Sequence, residues 1–254
     1  MFCGPAKDSN IMSNLQKIRL FTLPNALTLA NLVAGAIAVV VTLKYQAYET
    51  AFWLIIAAAV FDFFDGMVAR LLKQQSPLGV ELDSLADDIS FGLAPAMVMY
   101  EIYTNSTSYY SLSEEWMQPL GYVVFIIAAF SALRLAKFNI DTTQSTEFVG
   151  LPTPANALML LSLAVLYANG NVLLYQEHIL VIAVAASFLL VSPIRMFSLK
   201  FKSLRIADNK LRYGFLLAAV ALIIFVPAYS ILAIIVLYIV LSTLRWMFLR
   251  KEEN

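Results

Sequence analysis

Residues 51–88 read AFWLIIAAAVFDFFDGMVARLLKQQSPLGVELDSLADD, in which an apolar run passes through a short polar link into a second run. Aspartates stand in both runs, at Asp62, Asp65, Asp83, Asp87 and Asp88. Each unpaired aspartate well inside a membrane costs about 2.5 to 3.5 kcal/mol on insertion scales, so something must compensate them. Because the link is short, the segment predicts two antiparallel neighbouring helices whose carboxylates converge on one place.

The composition of the whole chain indicates a membrane protein. The chain has 254 residues, 61% of them hydrophobic and 13% charged, and its mean hydropathy is +0.77. So little polar surface does not coat a water-soluble globule. The apolar runs are continuous and longer than the roughly ten residues of an outer-membrane barrel strand, which leaves helices. The net charge is zero, and no basic stripe with interleaved aromatic residues suggests a nucleic-acid partner.

Eight apolar segments predict an all-α, polytopic transmembrane helix bundle. Their predicted bounds are 24–43, 51–72, 82–103, 118–138, 153–174, 177–196, 211–227 and 229–248. Only Pro227 and its neighbours separate the last two, so we expect a tight helical hairpin rather than one kinked helix. Cys3 and His178 are the only cysteine and histidine, which excludes an intramolecular disulfide and a Cys/His zinc site.

The loops between these segments predict the orientation of the protein. Lys and Arg are concentrated before the first segment, after the second, fourth and sixth, and after the eighth. Since cytoplasmic loops collect these residues, we expect both termini in the cytoplasm of a bacterial-type inner membrane. The first twenty residues show no cleavage pattern, so we expect no removable signal peptide. Residues 14–21 form either an amphipathic interfacial segment or a plain polar lead-in.

The spacing of the aspartates favours a metal site. Asp62 and Asp65 are three residues apart, and Asp83 and Asp87 are four apart, so each pair lies on one face of its helix. Carboxylate oxygens without histidine or thiolate are the ligands of hard cations such as Mg²⁺ or Mn²⁺. The alternatives are a wet helix end or buried ion pairs with Arg70, Arg134 or Lys137. These cations are too few to neutralise five carboxylates.

The run Asp62-x2-Asp65-Gly66-x2-Ala69-Arg70-x8-Gly79-x3-Asp83-x3-Asp87 resembles the complete motif of the CDP-alcohol phosphotransferase family. The resemblance implies a single integral membrane domain (1–254), often dimeric: a cytoplasmic or interfacial segment (1–22), a catalytic six-helix core (23–196) with a cytoplasm-facing cavity, and a C-terminal helical pair (211–248). It implies that the metal ligands are Asp62, Asp65, Asp83 and Asp87, with Asp87 also the general base. It implies that CDP contacts Asn25, Thr28, Asp62, Asp65, Gly66, Ala69, Arg70, Gly79 and Asp83.

Further segments resemble the serine-using branch of that family. They are LPNALTLANL (23–32), LDSLAD (82–87), SFGLAP (90–95), RLAKFN (134–139) and FVGLPTP (148–154). The resemblance implies that two Mg²⁺ or Mn²⁺ ions assist transfer of the phosphatidyl group from CDP-diacylglycerol to L-serine, with release of CMP. Arg134 or Lys137 would hold the serine carboxylate or the lipid phosphate, and Asn139 the ammonium group.

The same residues allow three alternative interpretations. Prolines in these segments also start helices, and their basic residues also mark cytoplasmic loops. A relative that uses glycerol 3-phosphate or inositol phosphate would share the aspartates and differ in the acceptor pocket. An ion-coupled carrier would also hold intramembrane acids, but we find none of the internal symmetry that carriers usually show.

Overall fold

The structure is a computed structural model that describes residues 20–141, 148–198, 205 and 209–253. The predicted N-terminal segment 1–22, including Cys3, lies almost entirely outside these residues. Part of the basic loop between the sixth and seventh predicted segments lies outside them as well.

Ten α-helices make up most of the described chain. They are α1 Leu23–Tyr45, α2 Tyr48–Leu71, α3 Pro77–Asp87, α4 Ala94–Asn105, α5 Glu114–Leu120, α6 Ile126–Ile140, α7 Thr153–Ala168, α8 Gln176–Val191, α9 Lys210–Phe225 and α10 Ser230–Glu253. A π-helix, Asp88–Leu93, joins α3 to α4, and 3₁₀-helices Gly121–Phe125 and Pro227–Tyr229 precede α6 and α10. Helix forms most of each of the eight predicted segments, so the all-α fold class is confirmed.

Several of these helices are suited to cross a bilayer. Four continuous helical stretches are long and apolar enough: α1, α2, Glu114–Ile140 and Pro227–Phe248. The third joins α5, a 3₁₀-helix and α6, and the fourth joins a 3₁₀-helix and most of α10. The helices Thr153–Ala168 and Gln176–Val191 are apolar but shorter than the roughly 20 residues that a full span needs. The chain is therefore an integral, multi-pass membrane protein.

Two helices are shorter than the sequence predicted. Helix α7 ends at Ala168 rather than near residue 174. Gly170, two residues after this end, adopts a left-handed φ of 69°, which is typical of a helix C-terminus. Helix α8 ends at Val191 rather than near residue 196, because Pro193 disfavours helical geometry at Ser192, whose ψ is 151°. Arg195–Met196 instead forms strand β2, paired antiparallel with strand β1, Phe148–Val149. This two-stranded sheet was not predicted.

The C-terminal hairpin is confirmed. Helix α9 ends at Phe225, and the 3₁₀-helix that follows begins at Pro227, which cannot continue a helical hydrogen-bond ladder. Helices α9 and α10 pack against each other, and α10 also packs against α7 and β2. The Tyr238 hydroxyl donates to the carbonyl oxygen of Phe197 at 2.9 Å and so ties α10 to the segment after β2.

Helix α1 lies unusually close to the π-helix because residue 35 has no side chain. A Cβ atom at Gly35 would lie 2.6 Å from the Cα atom of Ser90, so no larger residue fits without a shift. The Ser90 hydroxyl donates to the carbonyl oxygen of Asn31 at 2.9 Å. Small residues at such crossings let backbones approach in membrane proteins. The contact fixes the end of α3, three residues before Ser90, against α1.

Candidate active site

Three carboxylates form a group between α2 and α3. Asp62, Asp83 and Asp87 each offer one oxygen, and these oxygens lie within 4.8 Å of one another. The Asp83 Oδ1 atom is buried without a hydrogen-bond partner. Negative charges held so close repel one another unless a cation lies between them. The group fits a hard metal ion, whose ligands are oxygens of this kind.

The ion-pair alternative does not account for this group. Arg70 and Lys137 are exposed. Arg134 is buried and interacts electrostatically with Asp87, but its Nη1 atom donates to the hydroxyl of Thr153 at 3.3 Å. Among the described residues, none of the three carboxylates has a Lys or Arg partner at ion-pair distance. The carboxylates therefore need a different positive charge.

Asp65 lies beside this group and is held by α1. It is buried one helical turn after Asp62, and its Oδ2 atom accepts a hydrogen bond of 2.5 Å from the hydroxyl of Thr28. Its charge interacts with those of Asp62 and Asp83. The four carboxylates predicted to bind metal thus converge, three in one group and Asp65 at its edge.

Asp87 is oriented by Asn31, a residue for which the sequence predicted no role. The Asn31 side chain is fully buried, and its Nδ2 atom donates to Asp87 Oδ1 at 3.0 Å. The carbonyl oxygen of Asn31 accepts the hydroxyl hydrogen of Ser90, so both ends of the residue are fixed. The available signal was weak: Asn31 is one polar residue in an apolar helix, one turn beyond Thr28.

A cavity of about 520 Å³ opens next to the carboxylates, between the start of α1, the end of α2 and the start of α3. Its walls hold eight of the nine residues predicted to contact CDP: Asn25, Thr28, Asp65, Gly66, Ala69, Arg70, Gly79 and Asp83. Asp62, the ninth, belongs to the group of three carboxylates instead. The walls also include residues that the prediction missed: Pro24, Gln74, Gln75, Ser76, Pro77 and Val80.

Two of the missed residues, Ser76 and Pro77, follow from the way α3 begins. Ser76 caps the helix, because its Oγ atom accepts a hydrogen bond from the backbone N–H of Gly79 at 3.0 Å. Pro77 occupies the first helical position, where its fixed φ is favourable and no N–H is needed. A Ser-Pro pair ahead of the aspartates could have marked this wall of the cavity from the sequence.

The two motif glycines differ in what surrounds them. A Cβ atom at Gly66 would meet only the Arg70 guanidinium, at 3.7 Å, so helix packing does not explain this glycine. A Cβ atom at Gly79 would lie 3.3 Å from Ser76 Oγ and 3.5 Å from Asn25 Oδ1, which is a tight local contact. Gly66 therefore keeps open space on the cavity side of α2, where a ligand can approach the backbone.

The three candidate acceptor residues separate into two environments. Arg134 is buried on α6, with its guanidinium 5.9 Å from the centre of the Phe138 ring. Lys137 and Asn139 are exposed near the end of the same helix. The Asn139 amide donates to the hydroxyl of Ser84 at 2.8 Å, next to Asp83 in the sequence. Of the three, Arg134 alone is buried, and its charge interacts with that of Asp87.

Comparison with known proteins gives one consistent result. Residues 21–190 match the family described as CDP-alcohol phosphatidyltransferase. A Helicobacter pylori (strain ATCC 700392 / 26695) protein named CDP-diacylglycerol--serine O-phosphatidyltransferase is 31% identical over 237 residues, which cover 91% of this chain and 93% of that protein. A Bacillus subtilis (strain 168) protein of the same name is 33% identical over 145 residues, 57% of this chain and 76% of its own. A Mycobacterium tuberculosis (strain ATCC 25618 / H37Rv) protein, again of that name, is 38% identical over 157 residues, 59% of this chain and 51% of its own.

Proposed function

The chain belongs to the CDP-alcohol phosphatidyltransferase family, and from that premise we propose that it transfers the phosphatidyl group of CDP-diacylglycerol to L-serine, giving phosphatidylserine and CMP. The observation that carries the proposal is the group formed by Asp62, Asp83 and Asp87 beside a cavity of about 520 Å³. The names of the Helicobacter and Bacillus relatives support serine as the acceptor.

The metal in this proposal is Mg²⁺ or Mn²⁺, as two ions. Asp62, Asp83 and Asp87 hold them, with Asp65 beside the group. The partnerless Oδ1 atom of Asp83 supports this assignment, because a buried carboxylate oxygen of a native protein rarely lacks a partner. When bound, such ions neutralise the pyrophosphate and make its phosphorus more electrophilic.

The nucleotide of CDP-diacylglycerol occupies the cavity at the ends of α1, α2 and α3. Gly66 leaves room for it against the backbone of α2. Arg70, an exposed residue of the cavity wall, donates to a phosphate oxygen, for which a guanidinium is well suited. The acyl chains remain in the lipid around the helices, so the site needs access to water only for CMP and serine.

The reaction is a substitution at the phosphatidyl phosphorus. The serine hydroxyl oxygen forms a new bond to this phosphorus, the bond to the CMP oxygen breaks, and CMP leaves with the electron pair. Asp87 accepts the hydroxyl proton as attack proceeds, because a serine hydroxyl is too weak an acid to lose it unaided. The hydrogen bond from Asn31 holds one oxygen of Asp87 in place.

The orientation in the membrane is part of the proposal. The cavity lies at the end of α2, which carries Arg70 and is followed by Lys73, and such a basic end is of the kind that faces the cytoplasm. We place the active site and both termini on that side of a bacterial-type inner membrane. The division into a catalytic core over 23–196 and a helical pair over 211–248, and the homodimer, remain predictions.

The experiment for the proposed function is CMP release from CDP-diacylglycerol by the purified protein. Serine, glycerol 3-phosphate and inositol phosphate are offered separately, with Mg²⁺, with Mn²⁺ and with a chelator. We expect release that needs both a metal ion and serine. Release with another acceptor alone would overturn serine as the substrate, and no metal-dependent release with any acceptor would overturn the reaction itself.

We expect Asn31→Leu to lower kcat for serine-dependent CMP release about 10- to 100-fold. The change removes a hydrogen bond to a carboxylate, which is worth about 1.5–3 kcal/mol, while the branched arrangement of the side-chain heavy atoms is kept. The matched control is Thr42→Val, because Thr42 is a buried polar residue of the same helix whose hydroxyl bonds only its own helix, at Ala38. Equal rates for the two variants would contradict the positioning role of Asn31.

A further inference from the structure

The side-chain amide of Asn156, on α7, is buried with nothing to bond. The residue is 0% exposed, and neither Oδ1 nor Nδ2 has a hydrogen-bond partner. The other two fully or nearly buried asparagines near the site each have a partner for the side-chain N–H: Asn25 donates to the carbonyl oxygen of Leu20, and Asn31 donates to Asp87, while Asn31 Oδ1 has no partner. A buried amide with both ends unpaired is unfavourable in a folded protein, which points to a partner that is not part of this chain.

A second unpaired group lies on the same side of α7. Thr153 and Asn156 are three residues apart, so they lie on one face of the helix. Thr153 accepts the hydrogen bond from Arg134 Nη1 and thereby brings the guanidinium to this face. The Nε atom of Arg134 is also buried without a partner. A charged donor held at Thr153 and the amide one helical turn further along α7 are thus both unpaired.

This place adjoins the carboxylates. Helix α7 packs against the π-helix that directly follows Asp87 in the chain, and α6, which carries Arg134, packs against the π-helix too. Arg134 interacts electrostatically with Asp87. A small molecule bound to the two unpaired groups would therefore be a neighbour of the residue to which we assign proton transfer.

The chemistry of the unpaired atoms selects the kind of molecule. Arg134 Nε is a charged donor and calls for an anionic acceptor such as a carboxylate. Asn156 Oδ1 is an acceptor and calls for a donor such as an ammonium group. The zwitterionic part of an α-amino acid presents these two groups on one carbon atom. A fully ionised phosphate group offers only acceptors, so it could pair with Arg134 Nε but not with Asn156 Oδ1.

We infer that Arg134 and Asn156 bind the zwitterionic part of the acceptor amino acid, Arg134 through its carboxylate and Asn156 through its ammonium group. Asn156 is then the residue that selects an amino-acid acceptor, in place of the exposed Asn139. The inference rests on the proposed function, since it takes serine as the acceptor.

The test compares two acceptors that differ only in the ammonium group, L-serine and 3-hydroxypropionate. For the wild-type protein we expect kcat/KM to be at least about 10- to 100-fold higher with serine, since an acceptor without the ammonium leaves Asn156 Oδ1 unpaired. In Asn156→Leu we expect this ratio to fall at least about tenfold, with the KM for CDP-diacylglycerol unchanged within about threefold. A ratio of two acceptors is independent of how much protein is folded.

The control is Ser162→Ala, a buried polar residue of α7 whose hydroxyl donates to the carbonyl oxygen of Met159 at 2.8 Å. It should leave the acceptor ratio unchanged. A second readout needs no turnover: serine should raise the unfolding temperature of the wild type and of Ser162→Ala but not of Asn156→Leu. An unchanged ratio in Asn156→Leu would overturn the inference and leave the proposed function intact, whereas a wild type inactive with serine would overturn the proposed function itself.

Discussion

Asp87→Asn is expected to lower serine-dependent CMP release by at least about 1,000-fold. General-base catalysis contributes about 10²–10⁴-fold, and this variant also removes a charged oxygen from the metal group. The fold should be kept, because an asparagine oxygen can still accept the hydrogen bond from Asn31. The measurement is single-turnover CMP release at saturating serine, beside a thermal unfolding curve that verifies the fold.

The control for this variant is its neighbour in the sequence. Asp88→Asn makes the same chemical change one residue later, but Asp88 lies beside Ser131 on α6 and is not part of the group of three carboxylates. We expect its rate to stay within about threefold of the wild type. A loss of similar size in both variants would contradict a specific role for Asp87, and so would an Asp87→Asn variant that keeps more than a tenth of the activity.

The second large effect concerns the stability of the protein with and without metal. Binding at one hundred times Kd stabilises a folded protein by about 2.7 kcal/mol, or roughly 5 to 10 °C in Tm for a chain of this size. We expect Mn²⁺ to raise the Tm of the wild type by roughly 5 to 10 °C and to change the Tm of Asp62→Asn very little. Without metal, Asp62→Asn should unfold at a higher temperature than the wild type, because one of three mutually repelling carboxylates is gone.

The CMP-releasing activity of each protein should change in the same direction as its stabilisation by Mn²⁺. We expect Asp62→Asn to lose at least about 100-fold in CMP release, and a chelator to abolish release by the wild type. Glu49→Gln is the matched control, since Glu49 is an exposed acid in the first turn of the same helix. It should keep both the activity and the Mn²⁺ response. A Mn²⁺ response in Asp62→Asn as large as in the wild type would show that the ion binds elsewhere.

The carboxylates could be found from the sequence because their spacing repeats the helical period inside apolar segments. Acids in such a place are costly, so their positions carry information. The order of the helices could also be predicted from the sequence, since helix forms most of each apolar run of bilayer length. The cavity residues on α1, Asn25 and Thr28, came from a resemblance to known sequences, because nothing in their spacing links them to α2 or α3.

Other features depend on contacts that no local pattern records. Asn31 and Asn156 are each one of a few polar residues in an apolar helix, and nothing in the local pattern distinguishes them from the others. The ends of α7 and α8 were overestimated because apolar residues continue past the glycine and proline that end these helices. The pairing of Phe148–Val149 with Arg195–Met196 joins residues nearly fifty positions apart, which hydropathy along the chain does not report.

The π-helix at Asp88–Leu93 has a consequence for how this protein can change over evolutionary time. A π-helix holds an extra residue within an otherwise α-helical path, and one residue turns the following α-helix by about 100° about its axis. Because of this turn, the face of α4 that packs into the bundle is not in line with the face of α3 that carries Asp83 and Asp87. Substitutions that repack α4 can accumulate without rotating the carboxylates, so the bundle can diverge while its chemistry is inherited unchanged.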